Sequence, residues 1–384
     1  MQTHSDIIIV GGGPVGTTLA LALADTPYRV QILEAREDLS RAAHKRTLAL
    51  SYGSQLILQR LGVWAQLHDV TPITDIHISQ RGGLGTSRLT ATEENLPALG
   101  YVVDYAELDS ALHAALRNTN VQVVTGARVT DIRTSASYAQ VQAAQADATH
   151  YLTTRLAVVA DGGAGKAQRV TQEYNQHALL ATVTTELAHN GCAYERFTPE
   201  GPVALLPYQQ AYALVWTGTP ERVAALLALS DHDFLVALHN HFGDRVGQFL
   251  SVTGRTSFPL LLRYAQHTIA PHQVLIGNAA QTLHPVAGQG FNLGLRDAWE
   301  LAQAVRDTGT DKSALGSSAM LQRYQSQRRA DTGSSIFFTD LLVRLFSNAH
   351  PALKHGRSLG LMALQYLPPA KHLVARRMIF GART

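Results

Sequence analysis

The chain has 384 residues, 46% hydrophobic and 16% charged, a balance that excludes a disordered chain and fits a folded protein of one to three domains. Its single cysteine, Cys192, excludes an internal disulfide, a CxxC redox pair and a cysteine-based zinc site, and points to a reducing compartment such as the cytoplasm. The net charge of +3 argues against a nucleic-acid partner unless the charge is concentrated locally.

The uncharged stretch 7–24 contains Gly11, Gly12, Gly13, Pro14 and Gly16 and follows no basic segment, which argues against a signal peptide or a membrane helix. Residues 6–10 read as a fully buried strand, 14–24 as a helix and 28–34 as a second strand, a unit the size of a parallel crossover. Helices are expected over 52–67 and 105–117, strands over 121–124 and 127–132, and a hairpin over 135–155. A short buried strand, 157–160, runs into Asp161-Gly162-Gly163. Between about 177 and 218 the pattern alternates over 179–185, 192–197, 203–207 and 212–217, which predicts an antiparallel sheet. A helix over 231–242, a strand-like run over 255–264 and a buried strand over 273–276 follow. A glycine-punctuated loop then leads into a strong helix, 293–306, and 313–384 reads as almost entirely helical.

Gly11-x-Gly13-x-x-Gly16, placed after a strand and opening a helix, is a dinucleotide fingerprint: Gly11 makes the turn, Gly13 admits a pyrophosphate, Gly16 allows helix-to-strand packing, and Pro14 opens the helix. Glu34, ending the second strand, is placed to bind ribose hydroxyls and disfavours a 2′-phosphate, so the nucleotide is FAD or NAD. Gly277 and Asn278 end a further buried strand, at the edge where open α/β sheets bind ligands. Pro285, Gly288, Gln289 and Gly290 form a loop feeding the helix that begins near Asn292; its free N–H groups would stabilise negative charge, and the glycines let backbone lie against a flat ring.

These three motifs, with VVADGGAGKAQR around Asp161 and GNAAQTLHPVAGQGFNLGLRDA from 277, resemble the group A flavoprotein aromatic hydroxylases of the para-hydroxybenzoate hydroxylase type. The similarity runs over nearly the whole chain and is narrowest to the ubiquinone-biosynthesis hydroxylases. Segments 193–207 and 323–346 resemble the 2-octaprenyl-6-methoxyphenol hydroxylase branch. The resemblance implies an α/β fold: a discontinuous Rossmann-like FAD-binding domain (1–75, 96–170, 270–335), an inserted antiparallel-sheet substrate domain (76–95, 171–269) and a helical C-terminal tail (336–384). It implies FAD as cofactor, NAD(P)H as transient reductant and dioxygen as co-substrate, with hydroxylation of 2-polyprenyl-6-methoxyphenol to the 1,4-benzoquinol through a flavin 4a-hydroperoxide. Another ring position, another aromatic substrate and a flavoprotein scaffold for other ubiquinone-biosynthesis proteins are the alternatives. A redox-dithiol flavoenzyme is excluded by the single cysteine.

By the same resemblance Arg46 lies near the flavin phosphates and ring, Asp161 contacts FAD, and Asn278 stands where most relatives have a ribityl-binding Asp. Leu205, Leu206, Pro207, Trp216 and Phe258 are expected as the apolar wall over the substrate ring, and His284 as a structural or active-site polar group. No side chain is assigned as catalytic base. His239-x-His241 lacks metal-site spacing, and Ser51 and Ser257 lack a nucleophile-elbow context. After Asp340 the chain carries seven basic residues and no acid, leaving the preceding 340 residues at −4. That basic tail, with apolar runs at 336–346 and 359–367, suits an anionic membrane surface, a partner protein, or a cap packed on the core.

Overall fold

The computed structural model describes residues 3–39, 46–83, 85–165, 168–284, 288–346 and 351–382. Its first sheet has a parallel centre. The strand β1 (His4–Val10) lies between β2 (Val30–Leu33) and β11 (Ala148–Val159), with β8 (Gln122–Val124) beyond β2 and β18 (Gln273–Leu275) beyond β11. β9 (Ala127–Thr134), β10 (Ala139–Gln145) and β17 (Ile269–Ala270) add antiparallel edges. β1 reads as an unbroken apolar run because both its faces are covered. Ile7 and Ile9 pack on the helices α1 (Pro14–Leu23) and α6 (Gln289–Arg306), while Ile8 and Val10 pack with Val141 and Leu152 of the β10–β11 layer.

A three-stranded antiparallel sheet, β3 (Thr47–Ser51), β7 (Gly100–Asp104) and β4 (Thr71–Ile73), carries the helices α2 (Tyr52–Arg60) and α3 (Tyr105–Leu116). The helix expected over 52–67 stops at Arg60 because Gly62, at φ +70°, takes the left-handed position that ends a helix; a single 3-10 turn, Trp64–Gln66, follows.

The third sheet runs β19 (Gln281–Thr282), β16 (Phe249–Ala265), β12 (Arg169–Thr185), β15 (Ala211–Gly218), β14 (Val203–Tyr208), β13 (Cys192–Phe197), β5 (Asp75–Gln80) and β6 (Thr86–Thr90). One face is covered by α4 (Pro220–Ala228) and α5 (Asp231–Phe242), which bury Trp216, Leu205, Phe234 and Phe242. Over the other face lie the C-terminal helices α7 (Ser318–Phe346), α8 (Pro351–Tyr366) and α9 (Pro368–Phe380). Among the described residues no helix is long and apolar enough to cross a membrane.

Candidate active site

The parallel strands end level with one another: Leu275 pairs with Val159, Val159 with Val10, and Val10 with Leu33. Gly11, Glu34, Asp161 and Gly277 follow those ends, so all four stand along the carboxyl edge of one sheet, where open α/β sheets bind ligands. Gly11 (φ +105°) turns the chain against Ala160, and a side chain at Gly16 would strike the Gly11 carbonyl. Gly13 caps α1 with no side chain, Pro14 opens the helix, and no acid sits in the first turn. Space is open around Gly13, so the N–H groups of a helix N-terminus face a cradle that an anion can enter. Glu34 accepts from the Gly12 N–H (2.6 Å) and from the Arg36 N–H (2.8 Å), while the Arg36 guanidinium reaches Asp109 (3.0 Å). Asp161 accepts from the Gly163 N–H at 2.9 Å, and the Asn278 side chain is exposed along the same edge.

Arg46 lies with its guanidinium 5.4 Å over the Tyr105 ring; burial pushes its pKa down, and among the described residues its Nε has no hydrogen-bond partner. A cradle without a cap, an open glycine and an orphaned cationic nitrogen fit a large anionic dinucleotide.

The third motif is braced from behind. Asp297 on α6 accepts from the Gly277 N–H (3.0 Å) and from Gln281 Nε2 (2.6 Å), and its other oxygen takes Arg328 Nε (2.8 Å). Arg328 and Arg296 both bind Asp331, which also accepts from the Ala382 N–H at 3.0 Å. All four side chains of this network are buried. Gly288 (φ +61°) begins α6 beside the Ala49 methyl position, 3.4 Å from where a Cβ would stand.

From Ala49 and Gly288 a cavity of about 420 Å³ opens between the third sheet and the C-terminal helices. Its floor is Ile76, Ile78, Ala193, Glu195, Phe197, Ala204, Leu206, Val215 and Thr217. The roof is Phe338 of α7, Gly356, Arg357, Gly360, Leu361 and Leu364 of α8, and Val374 and Met378 of α9. A smaller apolar annex of about 70 Å³ shares Ala49, Ile73, Ile76 and Met378 with it and is lined further by Leu89, Leu99 and Ile379. The cavity size is that of ordinary small-molecule sites.

An FAD binding domain family model matches residues 4–334. The ubiquinone hydroxylase UbiL of Rhodospirillum rubrum is 35% identical over 97% of this chain and 89% of its own length. The 3-demethoxyubiquinol 3-hydroxylase of Escherichia coli is 32% identical over 94% of this chain and 95% of its own. The chain belongs to the FAD-dependent hydroxylases of ubiquinone biosynthesis. Its fold is shared with p-nitrophenol 4-monooxygenase PnpA from Pseudomonas putida DLL-E4, at a TM-score of 0.79 over all of both chains and 17% identity. The hydroxylase is accordingly a monooxygenase that uses FAD, NAD(P)H and dioxygen.

Several expected residues stand elsewhere in this hydroxylase. In paired strands directly opposed residues share a face. Val203 pairs with Trp216, Leu205 with Leu214 and Pro207 with Tyr212, and these point into the core under α4 and α5, away from the cavity. Of the expected wall, Leu206 lines the cavity; Leu205, Pro207 and Trp216 are one residue out of phase with it. Phe258 shares the cavity face through its pairing with Ala178 but lies outside the lining. Asn292 is spent on protein: its Oδ1 accepts from the Ser51 N–H (2.8 Å) and the Ser54 hydroxyl (2.7 Å), and its Nδ2 donates to the Ala49 and Gly288 carbonyls. It staples β3 to the start of α6 and has no bond left for a cofactor. Gln289 donates to the Met378 carbonyl at 3.2 Å, tying the same turn to α9. His284 is buried edge-on to Tyr174, 5.5 Å between centroids, and burial pushes its pKa down to about 4, so it is neutral at pH 7. Pro285 lies outside the described residues.

Sequence reasoning missed Glu195, and it offered the tail as a cap on the core without placing it over a cavity. Residues 193, 195 and 197 alternate onto one face as Ala, Glu, Phe, and a carboxylate between two apolar neighbours was the available signal. The tail is a roof, with Arg357 lining the cavity and Lys371 paired to Glu93 at 2.7 Å, so part of its basic charge faces inward.

Proposed function

We propose that this hydroxylase converts a 2-polyprenyl-6-methoxyphenol to the 2-polyprenyl-6-methoxy-1,4-benzoquinol. The observation that carries the reading is the apolar cavity that begins at Gly288, at the start of the third motif, and continues into an apolar annex. When bound, FAD reduced by NAD(P)H supplies the activated oxygen atom. Gly11, Gly13, Pro14 and Gly16 would hold its pyrophosphate on the start of α1, Glu34 its ribose, and Arg46, Asp161, Gly277 and Asn278 its phosphates and ribityl chain. Gly288 and Gly290 would lie against the ring, at the uncapped start of α6. The cavity residues bind the substrate ring and prenyl chain and exclude water from the reacting carbon. The choice of ring position rests on the resemblance of segments 193–207 and 323–346.

Flavin-loaded protein given NAD(P)H, dioxygen and a short-chain 2-prenyl-6-methoxyphenol should yield the 1,4-benzoquinol by mass and NMR analysis. A product hydroxylated at another ring carbon overturns the position; flavin oxidation without any hydroxylated product overturns the reaction.

The long-chain substrate is membrane-soluble, and the hydroxylase in this reading works at the cytoplasmic face of the membrane that carries it. Leu359 and Tyr366 of α8, Leu367 between the helices and Leu373 of α9 are exposed, as are Arg376 and Arg377 of α9, a composition suited to an anionic bilayer surface. Because these helices also roof the cavity, the test is substitution rather than truncation: Leu359→Glu with Leu373→Glu should abolish co-sedimentation with anionic vesicles while FAD stays bound. Unchanged co-sedimentation overturns the surface.

A further inference from the structure

Glu195 sits in the middle of β13 with its side chain among the cavity residues. Ile78 pairs with Glu195, Glu195 with Ala204 and Ala204 with Val215, so four strands contribute one row to the floor, and three of the four are aliphatic. Its neighbours in sequence face the other way. Tyr194 packs on Tyr212 and Phe242, and Arg196 pairs with Val203 of the opposite core. β5 and β15 bring no titratable side chain to this face, β14 brings Tyr208 outside the cavity lining, and α7 and α9 bring Phe338, Val374 and Met378. Among the described residues the other ionisable groups bordering the cavity are Tyr194, whose ring packs on Tyr212 and Phe242, and Arg357 on α8, and no ion pair joins Arg357 to Glu195. No described residue donates to the Glu195 carboxylate, and enclosure alone pushes its pKa up to about 7.

A carboxyl group in an apolar enclosure is expensive unless a donor reaches it, and here the fold provides none. The donor must come from what fills the cavity. A neutral phenol brings one O–H; an aromatic carboxylate would bring repulsion instead.

We propose that Glu195 is a catalytic residue, the proton acceptor for the ring hydroxyl, an assignment that rests on the phenol-hydroxylase reading above. As the ring carbon para to the hydroxyl bonds to the incoming oxygen atom, the phenolic O–H breaks, its electron pair makes the C=O of a dienone, and the proton passes to Glu195. The ring carbon then loses its own proton to solvent while the dienone oxygen takes the proton back from Glu195, restoring the aromatic ring and the carboxylate. The ring is oxidised by two electrons; dioxygen takes these and two from NAD(P)H, and its second atom leaves as water.

The test compares flavin-loaded wild type, Glu195→Gln and Glu195→Asp on 2-geranyl-6-methoxyphenol and its methyl ether. Wild-type kcat should rise with pH through about 7. Glu195→Gln should lower kcat by about 100-fold, with KM changed less than about threefold, and should flatten that rise, with partial recovery in Glu195→Asp. Wild-type affinity for the phenol, but not for the ether, should increase over the same pH range, and Glu195→Gln should erase the difference. Glu195→Gln protein that holds FAD yet keeps wild-type kcat and pH profile overturns the assignment alone. Wild type that makes no hydroxylated product from the phenol overturns the reaction, and the assignment with it.

Discussion

Replacing Glu195 by Gln should make the protein more stable at alkaline pH. A carboxyl with an ordinary pKa of 4.5 in the unfolded chain is held at about 7 in the fold. The folded state therefore binds the proton more tightly, and stability falls as pH rises from the unfolded value through the folded one. The penalty is under ~1 kcal/mol at about pH 5 and reaches ~3 kcal/mol at about pH 8, where both states are ionised. Glutamine matches the shape and carries no charge, so it should return most of that penalty at pH 8 and little at pH 5. Urea unfolding of wild type and variant at the two pH values, in matched salt and with FAD saturating, reads the difference as a shift in midpoint at constant slope. A variant equally or less stable at both pH values would mean that Glu195 has a donor inside the fold, and the reasoning would fail. A structural carboxylate loses stability when neutralised; an orphan kept for a ligand gains it.

Gly16→Ala, whose new methyl would meet the Gly11 carbonyl, should yield protein without the flavin absorbance of wild type. Asp297→Asn should weaken FAD binding, measured by flavin fluorescence, and should cost roughly 3–5 kcal/mol of stability by leaving the buried Arg328 charge undercompensated. Ala204→Trp, on the cavity floor, should raise KM at least about tenfold with FAD retained, whereas Trp216→Phe, across the sheet, should leave KM within about threefold. Asn292→Ala frees four hydrogen-bonding groups around Ser51, Ser54, Ala49 and Gly288, and should lower the unfolding temperature more than it alters flavin affinity.

What could be read from the sequence followed from local rules. An unbroken apolar strand, a glycine turn and an acid at the end of the next strand determine where Gly11, Gly16 and Glu34 stand, because a parallel crossover has one geometry. Trp216 shows where such rules stop. β14 and β15 are apolar on both faces, one toward α4 and α5 and the other toward the cavity, so alternation gives the period but not its phase. The β3–β4–β7 sheet escaped notice because its strands have three to five residues and pair across about thirty to fifty positions of sequence. α4 was there to be found: Thr219 caps it, Pro220 opens it and Glu221 sits in its first turn. The roles of Asn292 and of the tail depend on partners more than two hundred residues away, Ser51 for the one and the β5–β6 hairpin for the other.

The buried Asp297–Arg328–Asp331–Arg296 network has a practical consequence. Its outermost contact is the Ala382 N–H on Asp331, and Gly381, at φ +85°, fits where a Cβ would lie 2.7 Å from both Arg296 Nε and Asp331 Oδ1. Its innermost contact is the backbone of Gly277, just past the carboxyl end of β18. Gly381 and Ala382 are thus wired, through four charges, to the turn that follows β18 at the carboxyl edge of the first sheet. A side chain added at Gly381 would press on that wiring, so Gly381→Ala should disturb a turn more than a hundred residues away in sequence.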